Sequence, residues 1–349
     1  MVASIASHSG SLPYVTIAIP CLNEIAYIEQ CLDDALGQDY PADRIEVIVA
    51  DGGSADGTRG VLERQAGQVQ RLSWLENPDR YQSAGLNAVI RAANGDVIVR
   101  FDVHCRYPKD YVRHCVEVMV RTGAMNVGGA QRTVARTRFQ CALRTALNSP
   151  LGIGGARYKR QGHEGYVDTV FLGAFDRHVF EVVGLYDPHA ATNEDAELNQ
   201  RIVESGGRIY LSGEIVTEYF PRDSLLALIR QYFRYGAGRA RTLLKRRRLP
   251  RLSPAVPFLA TLFGLLLLLF EPKAPLTWIL FSIYAAVTLA EAIRHCARES
   301  WALIPIVWII FPTLHLSHGL GFAYGLARYL WAPNWPLEPE RLAPREVHR

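Results

Sequence analysis

The sequence lacks the cysteine spacing that a disulfide scaffold or a zinc site requires. Its six cysteines, at 21, 31, 105, 115, 141 and 296, form no CxxC pair and no regular framework. They read as buried or incidental thiols in a reducing compartment. A strong charge of either sign is also missing. The 38 basic and 34 acidic side chains leave +4 over 349 residues, too mild a surplus to point to nucleic acid. No GxGxxG follows the apolar stretch that ends at Asp51, where the glycines fall at 52, 53, 57 and 60. That removes the dinucleotide-fold dehydrogenase signature. The opening MVASIASHSGSLP has no apolar core of the signal-peptide kind, so the first two-thirds of the chain is expected in the cytoplasm. Internal repeats and low-complexity tracts do not occur.

What is present sorts into two regions. From about residue 15 to 220, short apolar runs (YVTIAIP, IEVIVAD, RLSWLEN, VIVRFD) alternate with stretches of helical periodicity (EIAYIEQCLDDAL, TRGVLERQAG, SAGLNAVIRAAN). This is the pattern of an α/β domain with a largely parallel sheet. After Pro221 the character changes. Nine Arg or Lys and no acid lie between Arg230 and Arg251, so the rest of the chain is net negative. Arg230, Arg234, Arg241, Lys245 and Arg248 fall on one arc of a helix, largely opposite Leu225, Leu228, Ile229, Tyr232 and Leu243. Gly236 and Gly238 weaken that helix. A basic amphipathic segment of this kind is expected to lie in a membrane interface.

Apolar runs follow: PAVPFLATLFGLLLLLF, LTWILFSIYAAVTLAEAI, and a tract from Trp301 to about Trp331. Roughly 20 apolar residues are needed to span a bilayer. Three segments are therefore expected, or four if the last tract breaks at Pro312 or Gly319. KRRRLPR ahead of the first run, with Arg294, His295 and Arg298 between the second and third, orients the N-terminal domain toward the cytoplasm. The expected division is a flexible 1–13, a catalytic domain over 14–222, an amphipathic interface helix over 223–251, a transmembrane region over 252–332, and a tail over 333–349.

Three acidic sites stand where α/β sheets hold ligands, past the carboxyl ends of strands. Asp51, with Asp56 in the following Gly-rich turn, can accept hydrogen bonds from a nucleoside; Asp56 can equally cap the next helix. In RFDVHCRYP, Asp102 and His104 would share one side of an extended chain, because side chains alternate with period two. Two converging ligands suggest a metal; an isolated pair of this type more often means a solvated Asp and an incidental His. Glu194 and Asp195 in TNEDAELNQRI precede a helix, where acids often serve only the helix dipole.

Together the motifs are more specific. VTIAIPCLNE, VIVADGGSADGT, SAGLNAVIRAANGDVIVRFDVH, NEDAELNQR and QYFRY occur in the order and spacing of family 2 glycosyltransferases of the GT-A type, over roughly residues 14 to 245. FDVHCRYPKDYV with QYFRYGAGRART and the apolar tail most resembles membrane-bound glucosyltransferases of succinoglycan-type exopolysaccharide synthesis. The resemblance implies a GT-A nucleotide-diphospho-sugar transferase domain, an interfacial amphipathic helix and a bundle of transmembrane helices. It implies that Pro20, Asn23, Glu24, Asp51, Asp56 and Asn87 line the donor nucleotide site. Asp102 would be the main metal carboxylate, and His104 stands where the family has a second Asp. An imidazole favours Mn²⁺ over Mg²⁺, and His104 could instead sit behind Asp102. Asp195 resembles the catalytic base. Asp168, Gly173, Glu194, Gln231, Arg234 and Tyr235 correspond to acceptor or diphosphate positions, with Tyr235 in place of the Trp of QxxRW.

The function these implications describe is inverting transfer of a hexose, glucose first, from a UDP-sugar to a polyprenyl-diphosphate-linked glycan. It would take place at the bacterial inner membrane, with the catalytic domain in the cytoplasm, a multi-pass anchor and an anionic lipid surface as partner; nucleic acid is not expected. A processive polysaccharide synthase and a non-catalytic sugar-nucleotide or lipid-binding partner are the alternatives.

Overall fold

The computed structural model describes residues 12–153, 164–247, 255–297 and 299–344. The chain divides into two compact units. Unit 1 takes Met1–Arg132, Arg160–Tyr219 and Trp335–Arg349; unit 2 takes Thr133–Lys159 and Phe220–Asn334. The sequence suggests a linear division, whereas the chain leaves unit 1 twice and returns twice. Units are set by which residues pack together, and sequence order does not reveal that. Arg248, Arg251 and Arg298 lie outside the described residues.

In unit 1 the chain runs β1 (Val15–Cys21), α1 (Ile28–Leu36), β2 (Ile45–Asp51), α2 (Thr58–Ala66), β3 (Leu72–Glu76), α3 (Gln82–Ala92), β4 (Val97–Arg100), β5 (Cys105–Arg106), α4 (Tyr111–Thr122) and β6 (Asn126–Thr133). After α5 (Arg138–Leu147) and α6 (Pro150–Ile153), which belong to unit 2, it returns as β7 (Gly165–Val167), β8 (Phe171–Asp176), α7 (His178–Val182), α8 (Glu194–Glu204) and β9 (Ile209–Tyr219). Among the described residues these nine strands make one sheet in the order β3-β2-β1-β4-β8-β6-β9-β5, with β7 on β9. The first four are parallel, and β8 joins β4 antiparallel. All seven residues of β1 are buried, as expected for a strand covered on both faces.

Glycine sets the contact between α3 and the sheet. A Cβ on Gly85 would lie 3.2 Å from the Cβ of Ala50 and 3.4 Å from that of Pro20. Strand order reverses between β1 and β4, which opens a crevice at their carboxyl ends. There Cys21 pairs with Asp51, and Arg100, the last residue of β4, pairs with Ala18. The C-terminal stretch, expected to be a simple tail, closes onto unit 1. Leu185 N–H donates to the Glu340 carbonyl at 2.7 Å and Leu342 N–H to that of Phe180 at 3.0 Å. Arg91 clasps the Glu340 carboxylate at 2.8 and 2.6 Å.

Unit 2 is helical. Thr137 opens α5 with a capping box, its Oγ1 accepting from Gln140 N–H and Gln140 Oε1 accepting from Thr137 N–H, both at 3.1 Å. Then come α9 (Leu225–Arg246), α10 (Val256–Phe270), α11 (Pro275–Cys296) and α12 (Ile304–Trp331). The two glycines do not break α9. A Cβ on Gly236 would sit 2.0 Å from the His318 carbonyl oxygen, and one on Gly321 would sit 2.0 Å from that of Phe233. These glycines let α9 and α12 meet backbone to backbone, the use small residues serve between helices in lipid. α12 continues unbroken through Pro312, which settles the last tract as one helix.

Arg241, read as part of the exposed basic arc, is buried instead. Its Nε donates to Asn334 Oδ1 at 2.7 Å. A buried guanidinium needs acceptors, and the residues after α12 supply them. Of the 15 residues of α10 only Thr261 is buried. Pro275–Cys296 and Trp301–Trp331 are long and apolar enough to cross a membrane, and Val256–Phe270 is a shorter apolar helix.

Candidate active site

The carboxyl edge of β2, β1 and β4 carries a continuous set of polar contacts. At β2, Asp51 is fully buried; its Oδ1 accepts from Ser54 Oγ at 2.5 Å. Ser54 Oγ in turn accepts from Asn23 N–H at 2.8 Å. Asn23 has φ 56°, a left-handed turn that suits asparagine, and its Oδ1 takes the Ala55 N–H at 2.9 Å. The β1 and β2 loops are therefore tied to each other. Cys21 donates to Asp51 from 3.8 Å. Burial first, and then the neighbouring Asp51 carboxylate, push that thiol up, so it stays neutral.

Asp56 combines two duties. Its Oδ2 accepts from Ile25 N–H at 3.0 Å, while its Oδ1 accepts from Thr58 N–H at 3.0 Å and from Thr58 Oγ1 at 2.6 Å, at the start of α2. The Thr58 hydroxyl is the main reason its carboxyl lies below the usual range. Asp56 thus holds Thr58 at the start of α2, although the N-cap position itself is Gly57, with no side-chain cap. Pro20 is buried against Gly85 of α3. Asn87, also buried, gives both ends of its amide to the Tyr186 backbone at 2.8 and 2.9 Å.

Beyond β4 the chain turns instead of continuing extended. Cys105 N–H donates to the Asp102 carbonyl at 3.1 Å, and His104 N–H to Asp102 Oδ1 at 2.9 Å. Asp102 and His104 are held together by this turn, not by strand alternation, because the strand ends at Arg100. His104 Nε2 lies 3.1 Å from Glu24 Oε1, and its ring stands edge-on to Tyr27 at 4.7 Å.

A buried ion pair joins β4 to α8. Arg100 is 4% exposed, yet it binds two acids from a segment about 95 residues away: Nη2 donates to Glu194 at 3.0 Å and Nη1 to Asp195. Both acids stand in the first turn of α8, after Asn193 in the left-handed conformation. They do more than serve the helix dipole, since the guanidinium joins that helix end to the carboxyl end of β4. Burial drives the Asp195 carboxyl up to about 7; Arg100 opposes the rise, and Glu194 and Asp102 add to it. About 25% of the Asp195 side chain still meets solvent. Arg100 stays charged, because burial would lower its pKa but the two carboxylates raise it well above its ordinary value. Its Nε is buried with no hydrogen-bond partner among the described residues. Tyr186 is buried next to this group; burial and then Asp195 push its phenol up.

Asp168 lies half-buried just past β7. Gly173 in β8 has φ 93°, and a Cβ there would fall 2.6 Å from Asn126 Oδ1. Asn126 donates to Asn199 at 2.7 Å, which in turn donates to Thr169 at 3.0 Å, so this row of amides needs the glycine.

The Glycosyl transferase family 2 profile matches residues 16–184. Succinoglycan biosynthesis protein ExoA of Rhizobium meliloti (strain 1021) is 34% identical over 310 residues, covering 88% of this chain and 93% of that protein. The chain belongs to glycosyltransferase family 2. A second relative is the dolichyl N-acetyl-alpha-D-glucosaminyl phosphate 3-beta-D-2,3-diacetamido-2,3-dideoxy-beta-D-glucuronosyltransferase of Methanococcus voltae, 27% identical over 90% of this chain and 98% of that one. Among solved structures, mannosyltransferase PcManGT from Pyrobaculum calidifontis, in complex with GDP-Man and Mn2+, is similar in fold. Its TM-score is 0.57 at 21% identity, covering 95% of this chain and 90% of that one.

This glycosyltransferase therefore has a GT-A type α/β fold in unit 1, in which Asp51 ends β2, Asp102 follows β4 and Asp195 is tied to Arg100 at the end of β4. Gln231, Arg234 and Tyr235 belong to unit 2, on α9, where Gln231 Nε2 donates to Tyr235 Oη at 3.0 Å. The residues that sequence reading missed are Arg100 and Tyr186. Arg100 carried one signal: a cation closing an otherwise apolar buried run, VIVR, must find carboxylates inside the fold.

Proposed function

We propose that this glycosyltransferase transfers a hexose, glucose in the first instance, from a UDP-sugar to a polyprenyl-diphosphate-linked glycan, with inversion, at a membrane surface in exopolysaccharide synthesis. The observation that carries the reading is Asp195 on Arg100. An acceptor hydroxyl attacking the anomeric carbon must lose its proton as the new bond forms. A base serves best when its pKa is near the working pH, and burial brings Asp195 to about 7. Arg100 fixes the carboxylate and keeps it ionisable, and Glu194 shares the guanidinium and faces the acceptor. The tied loops that hold Asn23, Glu24, Asp51 and Asp56 take the nucleoside. Asn87 on α3 and Pro20 near the end of β1 brace that pocket.

The donor set also fits a divalent ion. Among the described residues no three His, Cys, Asp or Glu side chains gather as a metal group. Asp102 offers a half-exposed carboxylate whose Oδ1 accepts the His104 N–H. An ion with one or two protein ligands draws the rest of its shell from substrate phosphates and water. Held at Asp102, it would neutralise the departing diphosphate. His104 would join through Nδ1 while Nε2 stays on Glu24, or through Nε2 by leaving it, and its participation favours Mn²⁺ over Mg²⁺.

Exposed apolar side chains on α10 and α11, with Arg230 and Arg234 exposed on α9, support attachment to an anionic bilayer. A lipid-linked acceptor cannot leave that surface. The names of the relatives, one in succinoglycan biosynthesis and one acting on a dolichyl-linked sugar, agree with such an acceptor. The test is Mn²⁺-dependent UDP release from UDP-glucose in membranes supplied with lipid-linked acceptor. Asp195→Asn is expected to abolish release while donor binding persists; turnover that survives the substitution removes Asp195 as the base.

A further inference from the structure

The path of the chain limits how the apolar helices can meet a bilayer. Unit 1 is assembled from three separate stretches of chain, and a folded unit lies on one side of a membrane. Each excursion away from it must therefore cross an even number of times. The first excursion carries α5, whose 10 residues include Arg138 and Arg144 and are too few to span. The second carries α9 to α12 and ends at the stretch held by Leu185, Phe180 and Arg91. Three crossings, the count that the apolar runs suggest, would leave Glu340 on the wrong side of the bilayer from Arg91.

A second set of contacts locates the turn between α11 and α12. Thr145 Oγ1 donates to Glu299 at 2.8 Å and Ser149 Oγ to Glu291 at 2.6 Å. Ala142 and Ala146 share a buried core with Ala292, Cys296, Leu303 and Val307. Since α5 never leaves the side of unit 1, this corner lies on that side as well. α12 then begins and ends on the catalytic side.

We infer that α10 and α11 form a hairpin that enters the bilayer from the catalytic face, with Glu271–Ala274 at its tip, while α12 stays on that face and lies along the lipid interface. This rests on the membrane reading above and adds the topology. The helices differ in the required sense. In α11 the 18-residue apolar window is 17% buried, against 39% in the window of α12. α12 buries a stripe at helical spacing (Val307, Ile310, Phe311, Leu314) and exposes Trp308, Ile309 and Leu316 on another face, as an interfacial helix does.

Sidedness tests it. Single cysteines are placed at exposed positions in the full-length protein: Gln70→Cys in unit 1, Ser300→Cys at the corner and Leu337→Cys in the returning stretch. Five of the native cysteines are buried and Cys141 is partly covered, which keeps the background low. Sealed vesicles of both orientations are treated with a membrane-impermeant maleimide. All three positions are expected to label from the same face. Labelling of position 300 or 337 from the face opposite to position 70 overturns the inference. Alkaline carbonate extraction is read separately: release of the protein into the supernatant defeats the membrane reading itself, whatever the labelling shows.

Discussion

β1 and α10 are both apolar runs, yet one buries all seven of its residues and the other buries only Thr261 of fifteen. Unit 1 hides its hydrophobic surface in its own sheet and spends its polar groups on closely tied contacts. Unit 2 leaves leucines and aromatics bare and is held together where glycines bring backbones into contact. The difference is one of solvent. Unit 1 is folded by water, whereas α10 and α11 present the surface that lipid would cover. A substitution should therefore act through chemistry in the first unit and through packing or surface affinity in the second.

The largest effect is expected from Asp195→Asn. Loss of a positioned general base reduces turnover by about 10²–10⁴-fold, with donor binding retained in a UDP titration. Arg100→Ala comes next. It leaves Glu194 and Asp195 in a buried setting without their cation, a change that destabilises by about 3 kcal/mol, read as a lower denaturation midpoint for unit 1 together with lost turnover. Arg100→Lys is expected to recover part of both, since it restores charge but not the two-pronged grip.

In unit 2, Gly236→Val places carbon against the His318 carbonyl. It should weaken the helix pair by about 1–3 kcal/mol, as overpacking does, and appear as aggregation or protease sensitivity with purified-donor binding intact. A parallel loss of donor binding would show that the two units are not separable in this way. Acidification gives a graded effect in unit 1. Asp195 must be ionised to accept a proton, so turnover should fall about tenfold per unit as pH drops below about 7. Smallest is Arg230→Ala with Arg234→Ala, expected to weaken binding to anionic vesicles by about 1 kcal/mol per residue, measured by co-sedimentation at low and high salt.

Legibility follows the same division. The strands ending at Cys21, Asp51 and Arg100 could be read because buried parallel strands are continuous apolar runs, and the helices between them because their apolar residues recur at helical spacing. The acids were visible as exceptions at strand and helix ends. Arg100 was visible only as a charge closing a buried run; its partners Glu194 and Asp195 stand about 95 residues further on and could not be read from it. The turn at Asp102 was hidden for a related reason: alternation in sequence mimics an extended chain, while the side chain of Asp102 bonds the backbone of His104. Arg241 fitted the basic arc by its angle alone, and the Asn334 that buries it lies 93 residues away. The returning stretch at 335–344 has no periodicity to read, because it is held by main-chain bonds at Glu340 and Leu342 and by one side-chain pair, Glu340 with Arg91.

That returning stretch also has a meaning in time. A polypeptide is made from its amino end, so the piece that bridges Phe180, Leu185 and Arg91 emerges only after every apolar helix has left the ribosome. Unit 1 is thus the first part of the chain to be made and the last to be completed, because its closing piece follows all of unit 2.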